Sequence, residues 1–387
     1  MSAFPRAERL ATIAGFGIDA VAAAAEGRDV LRLENLDTDL PLPPEAAAVT
    51  RAVIEEPVSN SWLPFTGDLG LRAAISERTA ERHGRVYDPQ TEIVITCGGT
   101  EGVLDVLLAT IDPGDEVVLV DPIYAGLVNR VRLAGGVPTF APLVQRDGEW
   151  ALDRDALTQA VTDKTVALLM MSPSMPSGHV LDRGDWEVVA ELCARHDLFL
   201  IYDAAMEAIL FDGREPLSPL AFGDLAERTV IVGSMSKAHR MIGWRVGWIA
   251  GPADVVRDAG WVHVYNTTGT VSVSRKAAEA VLRGGQEHVA ECTAELQRRR
   301  DTIIDALPDL PIIRPGGGWS LLVDVAALGL TPADASRMLL EEAGVAATGM
   351  TGWGGEVAAR HVRFVYSAEP VHRLRTLRER VTVLSRR

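Results

Sequence analysis

Thr229-Val230-Ile231-Val232-Gly233-Ser234-Met235-Ser236-Lys237-Ala238-His239-Arg240-Met241-Ile242-Gly243-Trp244-Arg245-Val246-Gly247-Trp248-Ile249-Ala250 is the stretch that decides the fold. It reads as strand, loop, strand. Thr229–Gly233 and Val246–Ala250 are short apolar, β-branched runs, the pattern of strands covered on both faces of a sheet. The loop between them carries Lys237. The chain has three lysines, Lys164, Lys237 and Lys276, against 35 arginines. Arginine cannot replace lysine as a Schiff-base nucleophile, because its guanidinium stays protonated. A lysine-poor chain therefore keeps a lysine where an amine is chemically needed. Ser234 and Ser236 precede Lys237, and Arg245 follows it. One amine to form an imine, with hydroxyl and guanidinium donors to hold a phosphate, suits a phosphate-bearing aldehyde.

Upstream, Glu92–Thr96, Glu116–Val120, Val166–Met171 and Leu198–Tyr202 are further strand candidates, and Gly98–Ile111 and Tyr124–Gly135 read as helices. This alternation predicts an α/β fold with a mostly parallel, doubly wound sheet. Ligands of such sheets bind at the carboxyl ends of the strands. Asp203 follows one strand. Gly98-Gly99-Thr100-Glu101 lies between a strand and a helix, where first-turn amides and a hydroxyl make a phosphate cradle. After about Thr270 the pattern changes. Val271–Arg300 is helical and charge-rich; Trp319–Val325, Val345–Thr348 and Val362–Ser367 look like strands, separated by helices at Pro332–Glu342 and Pro370–Ser385. A second, smaller α+β domain is expected there.

Composition narrows the function. The net charge of −15 disfavours nucleic-acid binding. No apolar run is long enough to span a membrane, and Met1–Arg9 offers no signal-peptide core. Cys97, Cys193 and Cys292 are odd in number and far apart, which reads as reduced thiols in a cytoplasmic protein rather than a disulfide or zinc framework. No nucleophile elbow or dinucleotide-binding fingerprint occurs, which disfavours a hydrolase or a nicotinamide enzyme.

The Lys237 segment resembles the S-x-S-K-x(7)-R signature of fold-type I pyridoxal-phosphate (PLP) enzymes, specifically the class I/II aminotransferase family. The resemblance runs from about Asp29 to Leu384 and implies the family's architecture: a seven-stranded-type sheet in a large PLP domain (residues 51–270), a small C-terminal domain (271–387) and an N-terminal segment (1–50) that joins it. It also implies roles. Lys237 would form the Schiff base and move the Cα proton. Asp203, 34 residues earlier, would bind the pyridine nitrogen, and Tyr124 in Asp121-Pro122-Ile123-Tyr124 would stack on the ring. Gly99, Thr100, Glu101, Ser234, Ser236 and Arg245 would surround the phosphate. Arg363 would fork onto the substrate α-carboxylate. Trp62, in Asn60-Ser61-Trp62-Leu63-Pro64, and Thr270 would reach the cofactor of a partner subunit, implying a homodimer with shared active sites.

Three residues depart from the family pattern. Met175, in Ser172-Pro173-Ser174-Met175-Pro176, stands where an asparagine usually donates to the cofactor's phenolic O3′. Met206 stands where a tyrosine donates to the same oxygen, and Trp62 replaces the cross-subunit tyrosine. Thioethers cannot donate. Losing both donors would leave the imine proton held to higher pH. The expected activity is that of an aminotransferase acting on an α-amino acid. The alternative is a lyase, synthase or cyclase on the same scaffold, which the two methionines favour; a cofactor-binding regulator ranks last.

Overall fold

The computed structural model describes residues 7–13, 15 and 17–385. The start of the N-terminal segment, residues 1–6, lies outside them, as do residues 14, 16, 386 and 387. The centre is an eight-stranded sheet. Its spatial order is Ile93–Thr96, Gly247–Ala250, Thr229–Ser234, Phe199–Asp203, Thr165–Met171, Glu116–Asp121, Val137–Arg146 and Glu149–Leu152. The five strands from Thr229–Ser234 to Val137–Arg146 run parallel. Gly247–Ala250 runs antiparallel to both of its neighbours. Six of these strands are buried but for at most one residue each, as continuous apolar runs require.

The expected strands are all present, with ends shifted by a residue or so. Two strands were not among those read from the sequence: Val137–Arg146 and, as an eighth where seven were expected, Glu149–Leu152. It pairs antiparallel with the end of Val137–Arg146 across Asp147-Gly148. Both turn residues have positive φ, 53° and 82°, the conformation that a two-residue Asp-Gly hairpin adopts.

Past residue 270 the helical stretch divides into Ser272–Arg283 and Glu287–Ala306 at Gly284-Gly285. Ser320–Asp324 and His361–Val365 pair antiparallel, with Thr348–Gly349 on the far side of the latter. The expected strand at residues 345–348 is two pieces. Val345–Ala346 turns instead to the N-terminal segment and pairs in parallel with Leu31–Arg32. The expected helix from Pro370 is also broken, into Val371–Leu374, Leu377–Arg380 and a 3-10 turn at Val381–Ser385. Among the described residues no helix is long and apolar enough to cross a membrane.

Candidate active site

The parallel strands deliver their carboxyl ends to one cavity of about 280 Å³. Nine residues singled out in the sequence line it: Gly99, Thr100, Tyr124, Met175, Asp203, Ser234, Ser236, Lys237 and Arg245. They come from five separate strand ends and the loops that follow them, so only the folded sheet brings them together.

Lys237 keeps part of its surface toward the cavity. Its Nζ lies 3.8 Å from the centroid of the Trp319 ring. Loss of water around the ammonium pulls its pKa from 10.5 down to about 7; Arg245 and Arg363 add to this, while Asp203 and Asp37 oppose it. A substantial fraction of the amine is thus neutral, and nucleophilic, near pH 7. Asp203 ends its strand, and its Oδ1 accepts from the Ala205 amide at 3.0 Å. Burial pushes its carboxyl up to about 6, against the Ala205 amide, Lys237 and Arg130, which hold it down.

The opposite end of the cavity is a cradle for an anion. The helix Gly99–Thr110 begins there, and no side chain caps it, so its first-turn N–H groups and positive dipole end are available. Arg245, itself at φ 55°, donates to the Ile242 carbonyl at 3.0 Å and to Ser236 Oγ at 3.4 Å. Its Nη2 reaches the Cys97 carbonyl at 3.4 Å. Backbones close in tightly here. A Cβ on Gly247 would sit 2.8 Å from the Gly233 carbonyl oxygen and nearer still to the backbone of Gly98 and Gly99.

Arg363 is fully buried on the strand His361–Val365. Its Nη2 donates to the Glu34 carbonyl at 2.6 Å, and its guanidinium lies 4.4 Å from the Trp353 ring centroid. Nε and Nη1 are buried without a partner. Desolvation drags this guanidinium down to about 9, with Tyr124 and Glu34 pulling the other way. Two orphaned donors on a buried planar fork fit a carboxylate that the protein itself does not supply.

Besides Arg363, four expected residues do not line the cavity. Glu101 turns away from it: Oε1 lies 3.2 Å from His263 Nδ1, and Oε2 accepts the Cys97 amide. Burial pushes Glu101 up, but the hydrogen bonds with His263 and the Cys97 amide win and hold its carboxyl below the usual range. The helical phase decides this, since the third helical residue faces the neighbouring helix and not the turn. Met206 packs into the core, 1% exposed. Trp62 is 66% exposed, outside the cavity of its own chain. Thr270 is buried with Oγ1 unpartnered. His239 pairs with His288 at 2.9 Å, and Glu207 with His83 at 3.1 Å, so neither reaches the cavity wall.

Arg130 was not anticipated. It lines the cavity, donates to the Thr100 carbonyl at 2.5 Å and to Gly126 at 2.7 Å, and hydrogen-bonds Tyr124. One helical turn and a half beyond Tyr124, among 35 arginines, it carries no local signal. Trp353 packs edge-on against Tyr124 at 5.7 Å and also covers Arg363.

Residues 29–381 match the family model described as aminotransferase class I and II. An arginine–pyruvate transaminase of Pseudomonas aeruginosa is 31% identical over 91% of this chain and 90% of its own. An aspartate aminotransferase of Pyrococcus abyssi is 30% identical over 89% of each. The solved N-succinyldiaminopimelate aminotransferase of Mycobacterium tuberculosis superposes with a TM-score of 0.92 at 29% identity, covering 98% of this chain and all of the other.

Proposed function

The chain belongs to the class I and II aminotransferase family and is an aminotransferase, and we propose that it works through pyridoxal phosphate bound at Lys237. The family uses this cofactor, and the residues present fit it. A half-desolvated amine, a buried carboxylate at a strand end and an uncapped helix start with a guanidinium and two serines all face one cavity. That convergence is the observation that carries the reading. Bound pyridoxal phosphate supplies an electron sink at the substrate's α-carbon.

The chain's own residues do the rest. Lys237 supplies the amine and, once free, is the base that takes the Cα proton; its pKa near 7 suits both directions of transfer. Asp203 holds the proton of the pyridine nitrogen. Gly99, Thr100, Ser234, Ser236 and Arg245 hold the phosphate, and Tyr124, braced by Trp353, covers one face of the ring. Arg363 takes the α-carboxylate. The same reading keeps residues 51–270 as the cofactor domain and joins 1–50 to 271–387, supported by the pairing of Leu31–Arg32 with Val345–Ala346.

We also infer a homodimer, supported by the exposed apolar group Trp62, Leu63, Trp261, Tyr265 and Val271. The relatives act on side chains as unlike as those of arginine, aspartate and succinyldiaminopimelate, so the reading extends to an α-amino acid and an α-keto acid and not to one side chain. The lyase or synthase alternative finds no support among these relatives.

The test is transfer of a nitrogen-15 label from a panel of amino acids to pyruvate or 2-oxoglutarate, with Lys237→Ala as control. Label should appear in the new amino acid with wild type only. Release of ammonia or an eliminated side chain, without labelled product, would overturn the reading.

A further inference from the structure

Glu101 and Asp105 lie one helical turn apart on Gly99–Thr110, and His263 and Thr267 one turn apart on Ala253–Thr267. The two helices pack against each other. Where they meet, one ligand atom from each of Glu101, Asp105 and His263 lies within 4.8 Å of the others, and all three residues are buried. This cluster is not part of the cavity around Lys237.

Its hydrogen-bond account does not close. His263 Nε2 faces the Phe65 carbonyl at 3.2 Å, and a carbonyl only accepts, so Nε2 carries a proton. On the neutral ring Nδ1 is then a lone pair, which the Thr267 hydroxyl at 3.2 Å can meet. Yet Nδ1 faces Glu101 Oε1 at 3.2 Å and Asp105 Oδ2 at 3.9 Å. Asp105 is fully buried, and neither of its oxygens has a partner. A second proton on His263 would satisfy Glu101 but leave the second carboxylate bare. Protonating Asp105 removes its charge, but at 3.9 Å its O–H stands beyond hydrogen-bond distance of the Nδ1 lone pair, and a buried polar group without a partner is costly. A dication cancels both carboxylate charges and gives Nδ1 and Oδ2 a common partner.

The geometry points to a structural divalent-metal site formed by Glu101, Asp105 and His263, of the zinc class, clamping the helix that carries the phosphate cradle to the helix Ala253–Thr267. Two carboxylates and one imidazole, with the Thr267 hydroxyl 3.2 Å from Nδ1, are a borderline donor set suited to Zn²⁺ or its first-row neighbours rather than Mg²⁺ or Ca²⁺. Tetrahedral ligands about 2.1 Å from a metal stand about 3.4 Å apart. The two contacts to Nδ1, at 3.2 and 3.9 Å, bracket that spacing, and all three ligand atoms lie within 4.8 Å of one another. His263 Nε2–H on the Phe65 carbonyl is the outer hydrogen bond that orients a metal-bound imidazole. Phe65, Gly260 and Val264 line an apolar groove just outside. Glu101 Oε2 accepts the Cys97 amide, so the clamp reaches the Gly98-Gly99 turn through one residue.

The experiment measures metal content and melting temperature of the holoenzyme purified without chelator. Expected are about one zinc per chain, a lower melting temperature after chelation, recovery with Zn²⁺ but not Mg²⁺, and visible ligand-field bands when Co²⁺ replaces zinc. Asp105→Asn and His263→Gln should each abolish retention and the Zn²⁺ response. Wild-type protein that holds no metal and shows neither a Zn²⁺ response nor Co²⁺ bands overturns the site, and the cluster is then held by protons. A folded Asp105→Asn protein with an unchanged Zn²⁺ response overturns it equally. Nitrogen transfer is scored separately, so failure here leaves the aminotransferase reading standing.

Discussion

Replacing Arg363 by glutamine separates a substrate-binding role from a structural one. The guanidinium is buried, with Nε and Nη1 unpartnered. Its fall from 12.5 to about 9 corresponds to roughly 5 kcal/mol of unrelieved desolvation at about 1.4 kcal/mol per unit. A substrate carboxylate on the two free donors would offset most of that. Counted the other way, two hydrogen bonds to a charged partner contribute about 1.5–3 kcal/mol each, so about 3–6 kcal/mol together. Both routes predict that Arg363→Gln lowers kcat/KM for an α-amino acid by roughly 10²- to 10⁴-fold. Arg363→Lys should lose nearly as much, because an ammonium cannot reproduce the planar fork.

The controls are a melting curve and a substrate lacking the carboxylate. Removing a buried, half-satisfied charge should leave the melting temperature unchanged or raised. The amine that matches the amino acid but lacks its carboxylate should react with mutant and wild type at rates within about threefold, since the lost contact is absent for it. The reasoning is refuted if the mutant loses as much on the carboxylate-free amine as on the amino acid. It is refuted also if the folded mutant keeps amino-acid turnover within about threefold of wild type.

Two further outcomes test the cavity. Reconstitution of cofactor-free protein with pyridoxal phosphate should speed up as pH rises through about 7, because Lys237 must lose its proton to attack and its pKa lies there; stopped-flow absorbance reads it, and a midpoint above about 9 would contradict the desolvated amine. Gly247→Ala should cost about 1–3 kcal/mol in urea unfolding and weaken cofactor binding by roughly ten- to a hundredfold, because the new methyl displaces the Gly98-Gly99 turn; unchanged binding would show that the cradle is not set by this contact.

Much of the fold was legible because the central strands are covered on both faces. Thr229–Ser234, Phe199–Asp203 and Thr165–Met171 show as plain apolar runs with Ser234 and Asp203 at their ends. Val137–Arg146 is only partly buried and holds two prolines, so its pattern fades. Spacing to Lys237 pointed to Asp203 and Arg245, which the fold brings to the cavity, and to Arg363, which it buries beside Trp353. Spacing says nothing about Arg130, which reaches the cavity through the pitch of its own helix and the Thr100 carbonyl.

Glu101 shows where motif reading ends and helical geometry begins. A cradle at a helix start uses the backbone of its first residues, so membership of Gly98-Gly99-Thr100-Glu101 says where the peptide groups lie and not where a side chain points. Successive helical residues step by about 100°, and residues four apart share a face. That puts Glu101 with Asp105, not with Thr100. What lies opposite that face is a residue some 160 positions away, His263 at 3.2 Å, which no local pattern announces. One helix therefore serves two chemistries. Its first-turn peptide groups face the cavity around Lys237, while its carboxylates, one turn apart, face His263 on the helix Ala253–Thr267. The Cys97 amide, held by Glu101, is the hydrogen bond that joins them.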